Sequence, residues 1–430
     1  MRIAELMPQT TRLWEEDKYL HWNELRRRPA PQGMSHEEWW LLLKMGRKAK
    51  MIPLTDKNGH PFRFSMPDSI IAKLHEIDLG LGTSWSLPDA VTNPASRNEY
   101  VVSTLFQEAI TSSQLEGAVT TRDVANEMLR TGRKPRDRSE RMILNNYQTM
   151  QRIVELRDNA LTPELVFELH RIATVGTLDR EDAAGRFHGP DEVIRVTDME
   201  GNVFHEPPQA SELPARMEKM CVFANGASPD YFIHPVIRAI LLHFWLAYDH
   251  PFVDGNGRTA RALFYWSMLH LGFQLVEFIS ISQILLKAPA QYATAFLHVE
   301  TDDNDLTYFI LHQTAVIQDA VKALHEYVAH RRAALQAAER HLRGIEGLNH
   351  RQQVLLTHAL RKPSSRYTIE GHRRSHGVVY QTARTDLLDL AKRGLMETDK
   401  TKRAFVYHAG KDLPKKLDEL AAAMERTRRT

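Results

Sequence analysis

Between His250 and Arg261 the chain reads His250-Pro251-Phe252-Val253-Asp254-Gly255-Asn256-Gly257-Arg258-Thr259-Ala260-Arg261. His250 can take up a proton near neutral pH, as a general base requires. Asp254 offers a hard oxygen donor, which suits Mg²⁺ shared with substrate phosphates better than a cation caged by protein alone. Gly255 and Gly257 let the backbone curl close to a ligand and turn successive N–H groups toward it. Arg258 and Arg261 stand three apart, share one face of a helical turn and can grip phosphate oxygens. Phe252 reads as an apolar anchor that fixes the loop. A base, a metal ligand, a nest of N–H donors and two cations so closely spaced describe phosphoryl or nucleotidyl transfer. The bland alternative is a Gly-Asn-Gly turn that merely joins two helices.

Two helical patterns must hold this segment. His234-Pro235 opens one that runs through Ile237, Leu241, Phe244 and Tyr248. A second extends from about Arg258 to Leu271 and is apolar nearly all round, so it should be buried. The segment between them meets the N-terminus of the second helix, where free N–H groups and the helix dipole favour an anion. Upstream, Val102, Leu105, Ala109 and Ile110 mark one helix face, and Met142, Tyr147 and Ile153 another; Thr162-Pro163-Glu164 is a helix start. The helical pattern breaks at EVIRVTDMEGNVFHEPP, which reads as a β-hairpin over 192–206.

Ser112-Ser113-Gln114-Leu115-Glu116-Gly117 places a carboxylate on a helix with a serine one turn before it. Such a carboxylate could pair with Arg261 and occupy a cation meant for a phosphate. A Ser–Glu pair on an ordinary solvated helix is the alternative.

The twelve-residue segment resembles the Fic family signature, H-P-F-x-D-G-N-G-R-x-x-R, without a mismatch. The resemblance extends from about Ser96 to Leu324. It implies a mainly α fold, with a Fic-type helical core and a β-hairpin flap, and transfer of AMP from ATP to a Ser, Thr or Tyr hydroxyl of a target protein. On that pattern His250 deprotonates the hydroxyl and Asp254 holds Mg²⁺ on the α- and β-phosphates. Gly255, Asn256, Gly257 and Arg258 cradle the phosphates, and Arg261 orients the γ-phosphate. The hairpin resembles the flap that aligns the target segment by strand addition, with Ile194, Arg195 and Val196 as its pairing edge. Ser112, Glu116 and Gly117 match the family's inhibitory motif, [S/T]-x-x-x-E-[G/N]. One departure lies in Gly185-Arg186-Phe187-His188, where many relatives carry Arg in place of His188.

Around this core the reading sets residues 1–95 apart as an N-terminal adaptor and 96–325 as the catalytic domain. Residues 326–346 follow as a linker helix, 347–410 as a winged helix and 411–430 as a basic helix or frayed tail. In the adaptor, Ser35 to Glu38 forms a capping box before Trp39 and Trp40, and Asn58-Gly59 suggests a hairpin. The stretch LGLGTSWSLPDAVTNPAS reads as a linker. Helices over 351–361, 368–375 and 381–392, then two short strands, describe a winged helix-turn-helix unit.

Composition narrows the class. The 430 residues are 43% hydrophobic and 26% charged, values of a globular chain with a sizeable core. A single cysteine, Cys221, excludes an internal disulfide and a Cys-rich zinc site, and fits a reducing compartment. With no run of 18 apolar residues and no apolar N-terminal stretch, a cytoplasmic protein away from the membrane is expected. The net charge of +2 conceals an asymmetry: residues 351–430 carry 18 Lys and Arg against 9 Asp and Glu. That basic end could meet DNA phosphates through Arg373, Arg374, Arg384, Lys392, Arg393, Lys402 and Arg403, with Thr382, Arg384 and Thr385 reading bases. Protein docking or assembly into a homo-oligomer is the competing use. Removal of AMP by the same site, transfer of another nucleotide or of phosphocholine, and a nucleotide-sensing DNA-binding regulator remain as rival functions.

Overall fold

The computed structural model describes residues 18–81, 94–197, 203–361, 365–400, 405–410 and 412–429. The centre of the linker, the tip of the flap hairpin, Lys402 and Arg403 lie outside the described residues. Contacts divide the chain into two compact units, Met1–Thr83 with Thr104–Val321, and Ser84–Ser103 with Lys322–Thr430.

The first unit begins with a helical turn, α1 (Trp22–Leu25), and α2 (His36–Gly46). The capping box expected for α2 is formed: Glu38 N–H donates to Ser35 Oγ at 3.2 Å, and Ser35 N–H to Glu38 Oε2 at 2.9 Å. Strands β1 (Lys50–Thr55) and β2 (Pro61–Phe64) pair antiparallel, followed by α3 (Asp68–Leu81). Next come α4 (Pro94–Leu115), α5 (Arg122–Thr131), α6 (Arg138–Glu155) and α7 (Pro163–Thr174). Asp137 caps α6 by accepting from Glu140 N–H at 2.8 Å, and Thr162 caps α7 with Pro163 at its start. A two-stranded hairpin, β3 (Val196–Thr197) and β4 (Val203–His205), precedes α8 (Leu213–Ala224).

The centre of this unit is α9 (Pro235–Asp249) against α10 (Asn256–His270), with α6 and α7 packed on α10 and α8 on α9. Both central helices are buried along nearly their whole length, in α10 with Asn256, Arg258, Thr259, Arg261 and Ser267 included. Short α11 (Ile281–Leu285) and α12 (Pro289–Glu300) follow, then the long α13 (Thr307–Gly344).

The boundary at 95/96 is not where the packing divides the chain. Residues 18–81 belong to the same unit as α9 and α10. Phe62 is fully buried against Phe244 and Tyr248 of α9, with ring centroids 5.6 and 4.8 Å away. Arg63 N–H donates to Asn304 C=O at 3.1 Å, and Leu306 N–H to Arg63 C=O at 2.8 Å. A two-stranded hairpin is marginal by itself, so β1–β2 takes its stability from this neighbour.

In the second unit, α14 (His350–Arg361) is followed by β5 (Arg366–Tyr367), α15 (Ile369–His376) and α16 (Tyr380–Lys392). The antiparallel pair β6 (Met396–Lys400) and β7 (Phe405–Ala409) leads to α17 (Leu413–Arg429). The short β5 had no sequence signal; it completes a three-stranded sheet of order β5-β7-β6. Asp386, nearly buried, accepts from Arg351 Nε and Asn349 Nδ2 at 2.7 Å and from His372 Nε2 at 3.2 Å. Burial works against its charge, but these donors hold its carboxyl below the ordinary range. Of the two readings of the C-terminal segment the helix holds over Leu413–Arg429, where Leu413 and Leu417 join Leu356, Leu387, Leu390 and Tyr407 in the core of this unit. Their apolar spacing within a strongly charged helix concealed that role. Leu417→Ala is expected to cost about 2–5 kcal/mol, as for other leucines truncated in a core. Denaturant unfolding of the full chain, followed at the transition of this unit, measures the loss.

Candidate active site

His250 closes α9 in the left-handed conformation, with φ 43° and ψ 51°. A histidine pays for that geometry, and here it turns the chain out of α9 and places the ring at the mouth of the loop. His250 Nδ1 lies 3.2 Å from Ala247 C=O, which can only accept, so Nδ1 carries the proton and Nε2 keeps its lone pair. Burial is the main reason its pKa falls to about 4; the bond to Ala247 opposes the shift, and the nearby His205 adds to it. At neutral pH the ring is therefore an uncharged acceptor.

The loop from 250 to 255 is locked by its own amide. Phe252 N–H donates to Asn256 Oδ1 at 3.0 Å, and Asn256 Nδ2 donates to Phe252 C=O at 2.7 Å. Asn256 thus spends its side chain on the loop, leaving only its backbone N–H for a ligand. The Phe252 ring is fully buried and stacks on His170, centroid to centroid 3.7 Å. His170 Nε2 donates to Asp254 C=O at 2.8 Å, while its Nδ1 accepts from Gly185 N–H at 2.9 Å. Desolvation lowers the pKa of His170 to about 4, in keeping with a neutral ring used on both sides. No local sequence pattern announces this support, since His170 and Asp254 stand 84 positions apart.

Gly255, at φ 85°, starts α10 from the left-handed region, and a Cβ there would come within 2.5 Å of Thr174 Cγ2. No side chain caps α10, so the N–H groups of its first turn, at Asn256, Gly257 and Arg258, find no acceptor among the described residues. Arg258 is fully buried; its Nη1 donates to Ala173 C=O at 2.7 Å, yet Nε and Nη2 have no hydrogen-bond partner. Orphaned donors on a buried cation are costly unless a ligand takes them up. Asp254 Oδ1 accepts from Gly255 N–H at 2.5 Å, and its Oδ2 faces Arg258 Nη2 at 3.6 Å and Arg138 Nη2 at 3.7 Å. Among the described residues no group of three or more His, Cys, Asp or Glu could hold a metal ion. A cation at Asp254 would need oxygen ligands from a substrate, which is the usual condition of Mg²⁺.

Arg261 meets the helix that carries Glu116. Its Nη2 is 2.9 Å from Glu116 Oε1, its Nε donates to Ser112 Oγ at 2.8 Å, and Nη2 also donates to Ser112 C=O at 2.9 Å. Burial alone would depress the guanidinium, but the Glu116 carboxylate outweighs it and the pKa lies above its ordinary value. A Cβ on Gly257 would collide with Glu116 Oε1, so the carboxylate rests against the open first turn of α10. Gly117, at φ 89°, lets the chain leave α4 directly after Glu116.

The flap is shorter than expected. Val196 pairs with His205, whereas Ile194 and Arg195 precede β3 outside any strand. Both ring nitrogens of His205 face acceptors, Tyr248 C=O at 2.7 Å and Glu300 Oε2 at 2.9 Å, which anchors β4 beside the end of α9. His188 N–H donates to Pro251 C=O at 3.0 Å, and its Nε2 is buried without a partner. Cys221 is a core residue whose thiol burial pushes up to about 12. In the second unit, Arg373 and Arg374 pair with Glu370 and Arg393 with Asp389, while Arg384 and Thr385 stand exposed on α16. No helix among the described residues is long and apolar enough to cross a membrane.

Residues 160–268 match the Fic/DOC family. A protein adenylyltransferase Fic of Nematostella vectensis is 32% identical over 117 residues, 27% of this chain and 25% of the relative. One of Drosophila grimshawi is 36% identical over 69 residues, 16% of this chain and 14% of the relative. The matched regions thus span a quarter or less of these relatives' length. The crystal structure of a Fic family protein from Desulfovibrio desulfuricans G20 superposes with a TM-score of 0.53 at 18% identity, covering 80% of this chain and 97% of that one. At that identity the likeness speaks for the fold alone. The helical pair, the loop between them and the family match over 160–268 lead to one statement: the chain carries a domain of the Fic family.

Proposed function

We propose that this protein transfers AMP from ATP to a hydroxyl side chain of a protein and that Glu116 restrains the transfer. The observation that carries the reading is the neutral, lone-pair-bearing Nε2 of His250 beside an uncapped helix start with orphaned Arg258 donors. A base and a vacant set of anion donors at one loop suit an attacking hydroxyl and a polyphosphate together. The residues also fit the metal: Asp254 offers Oδ2, and the orphaned Nε and Nη2 of Arg258 call for the phosphate charge that would accompany Mg²⁺. Bound there, Mg²⁺ would offset phosphate charge and polarise the α-phosphate.

His250 Nε2 takes the proton of the target hydroxyl as its oxygen attacks the α-phosphorus. The bond from that phosphorus to the bridging oxygen breaks, and its electron pair leaves with pyrophosphate. The N–H groups of Asn256, Gly257 and Arg258 and the Arg258 guanidinium hold the phosphates as charge moves onto the leaving group. Arg261 is suited to the γ-phosphate, and Glu116 contends for that cation from the other side. The β3–β4 hairpin is suited to presenting the target segment by strand addition.

Two outcomes test the reading. Incubation with α-labelled ATP should label wild-type protein weakly and Glu116→Gly strongly; a pair worth about 2 kcal/mol corresponds to ~30-fold. His250→Ala in the Glu116→Gly background should lose about 10²–10⁴-fold while keeping Mg·ATP affinity. Equal labelling with and without Glu116 would defeat restraint, and labelling by the His250→Ala protein would defeat the base assignment. The second outcome concerns pH. Because the His250 pKa is lowered to about 4, the nucleotide-free ring should stay neutral as pH falls from 8 through the ordinary histidine range, and gain its proton only near the lowered value. NMR of the imidazole nitrogens reads this directly, and titration near 6.5 would contradict burial as the control.

A further inference from the structure

A cleft of about 250 Å³ opens between the start of α6 and the loop after α7, and one of its lining residues, Arg138, reaches Asp254. Arg136, Arg138 and Arg141 line it, with Gly176, Asp137 and Asp179. Asp137 is engaged as the cap of α6, accepting from Glu140 N–H. Arg141 has no acidic partner among the described residues; its stem lies close against Gly176, where a Cβ would meet Arg141 Cδ at 3.0 Å. Arg138 reaches out of the cleft to the reaction centre, its Nη2 3.7 Å from Asp254 Oδ2 and its Nη1 3.4 Å from Asp179 Oδ1.

Two features separate this arrangement from an ordinary basic surface. Oδ2 of Asp254 sits between Arg138 Nη2 and Arg258 Nη2, and neither approach is short enough for a hydrogen bond. Arg258 is fully buried with no hydrogen bond at Nη2, so two guanidiniums face one Asp254 carboxylate there and donor capacity is left over. Arg138 itself is 57% exposed and its two ion pairs are long, so an anion could claim it readily.

We propose that Arg138 binds the leaving diphosphate, with Arg141 lining its way out; this rests on the adenylyl-transfer reading above. When the bond between the α-phosphorus and the bridging oxygen breaks, that oxygen keeps the electron pair and pyrophosphate gains negative charge. Arg261 lies toward Glu116 and Gly257, whereas Arg138 lies at Asp254, so the two arginines flank the start of α10 from different directions. A forked guanidinium on a flexible exposed stem can follow the product away from Asp254 into the cleft, which a buried one cannot.

Calorimetry on the full chain carrying Glu116→Gly tests the assignment, with magnesium pyrophosphate, Mg·ATP and AMP as probes. Adding Arg138→Ala should weaken magnesium pyrophosphate about tenfold or more, leave AMP unchanged, and reduce pyrophosphate inhibition of labelling in proportion. Arg138→Lys should recover part of the loss, and Arg141→Ala should show a smaller one. An unchanged thermal midpoint of the exposed-site variants separates lost contact from lost fold. Unchanged pyrophosphate affinity in Arg138→Ala, with Mg·ATP still bound, overturns the inference and leaves the adenylyl-transfer reading standing. Unchanged pyrophosphate affinity with labelling of a second protein lost and self-labelling kept also overturns it, in favour of an acidic target segment in the cleft. Failure of the Glu116→Gly chain to bind Mg·ATP at all overturns both.

Discussion

Phe252 and Asn256 exchange two hydrogen bonds across four residues, and most of the site hangs on that exchange. It closes the loop between α9 and α10 into one shape, so His250 and the first turn of α10 keep a set distance. Phe252 contributes the apolar half of the lock: buried fully, it stacks on His170, which in turn holds the Asp254 carbonyl and the Gly185 amide. A loop with its backbone polar groups satisfied this way needs no ligand to be ordered. The N–H groups of α10 can then be left uncapped, at the cost of a few orphaned donors.

Burial of two arginines beside that lock sets the electrostatics. Arg258 and Arg261 are essentially without solvent, a position that charges occupy only when paired or when an anion arrives. The two solve the problem differently. Arg261 is engaged through Nε and Nη2 by Ser112 and Glu116, whereas Arg258 has one carbonyl, a distant Asp254 and two unpartnered nitrogens. One cation is therefore already spent and the other is waiting. The same low polarity holds His250 neutral, so a single physical cause, desolvation, sets the state of both the proposed base and the proposed anion site.

Much of this was legible in the order of residues. The capping box at Ser35, the Thr162-Pro163 start and the buried helix after the loop are local patterns, and each is where it was expected. The order of helices and strands in the C-terminal unit followed from periodicity, but β5 did not, since two residues in a strand carry no period. The N-terminal boundary was misplaced because a glycine- and proline-rich stretch signals a break in local structure and says nothing about which surfaces pack. For the C-terminal segment the sequence left helix and frayed tail open, because the two leucines that bury, Leu413 and Leu417, sit among charges that dominate the composition.

For the site, residue types within one short segment carry the proposed chemistry, because base, carboxylate, glycines and arginines so spaced can do few other things. Gly117 and Gly255 likewise declared left-handed turns that other residues rarely adopt. The tertiary structure alone decided how those groups are charged and which are still available. Glu116 reaches Arg261 across 145 positions, His170 supports a loop 84 positions away, and Arg138 stands at Asp254 from a different helix. Burial, pKa and hydrogen-bond satisfaction depend on what surrounds an atom in space, and sequence periodicity reports only neighbours along the chain.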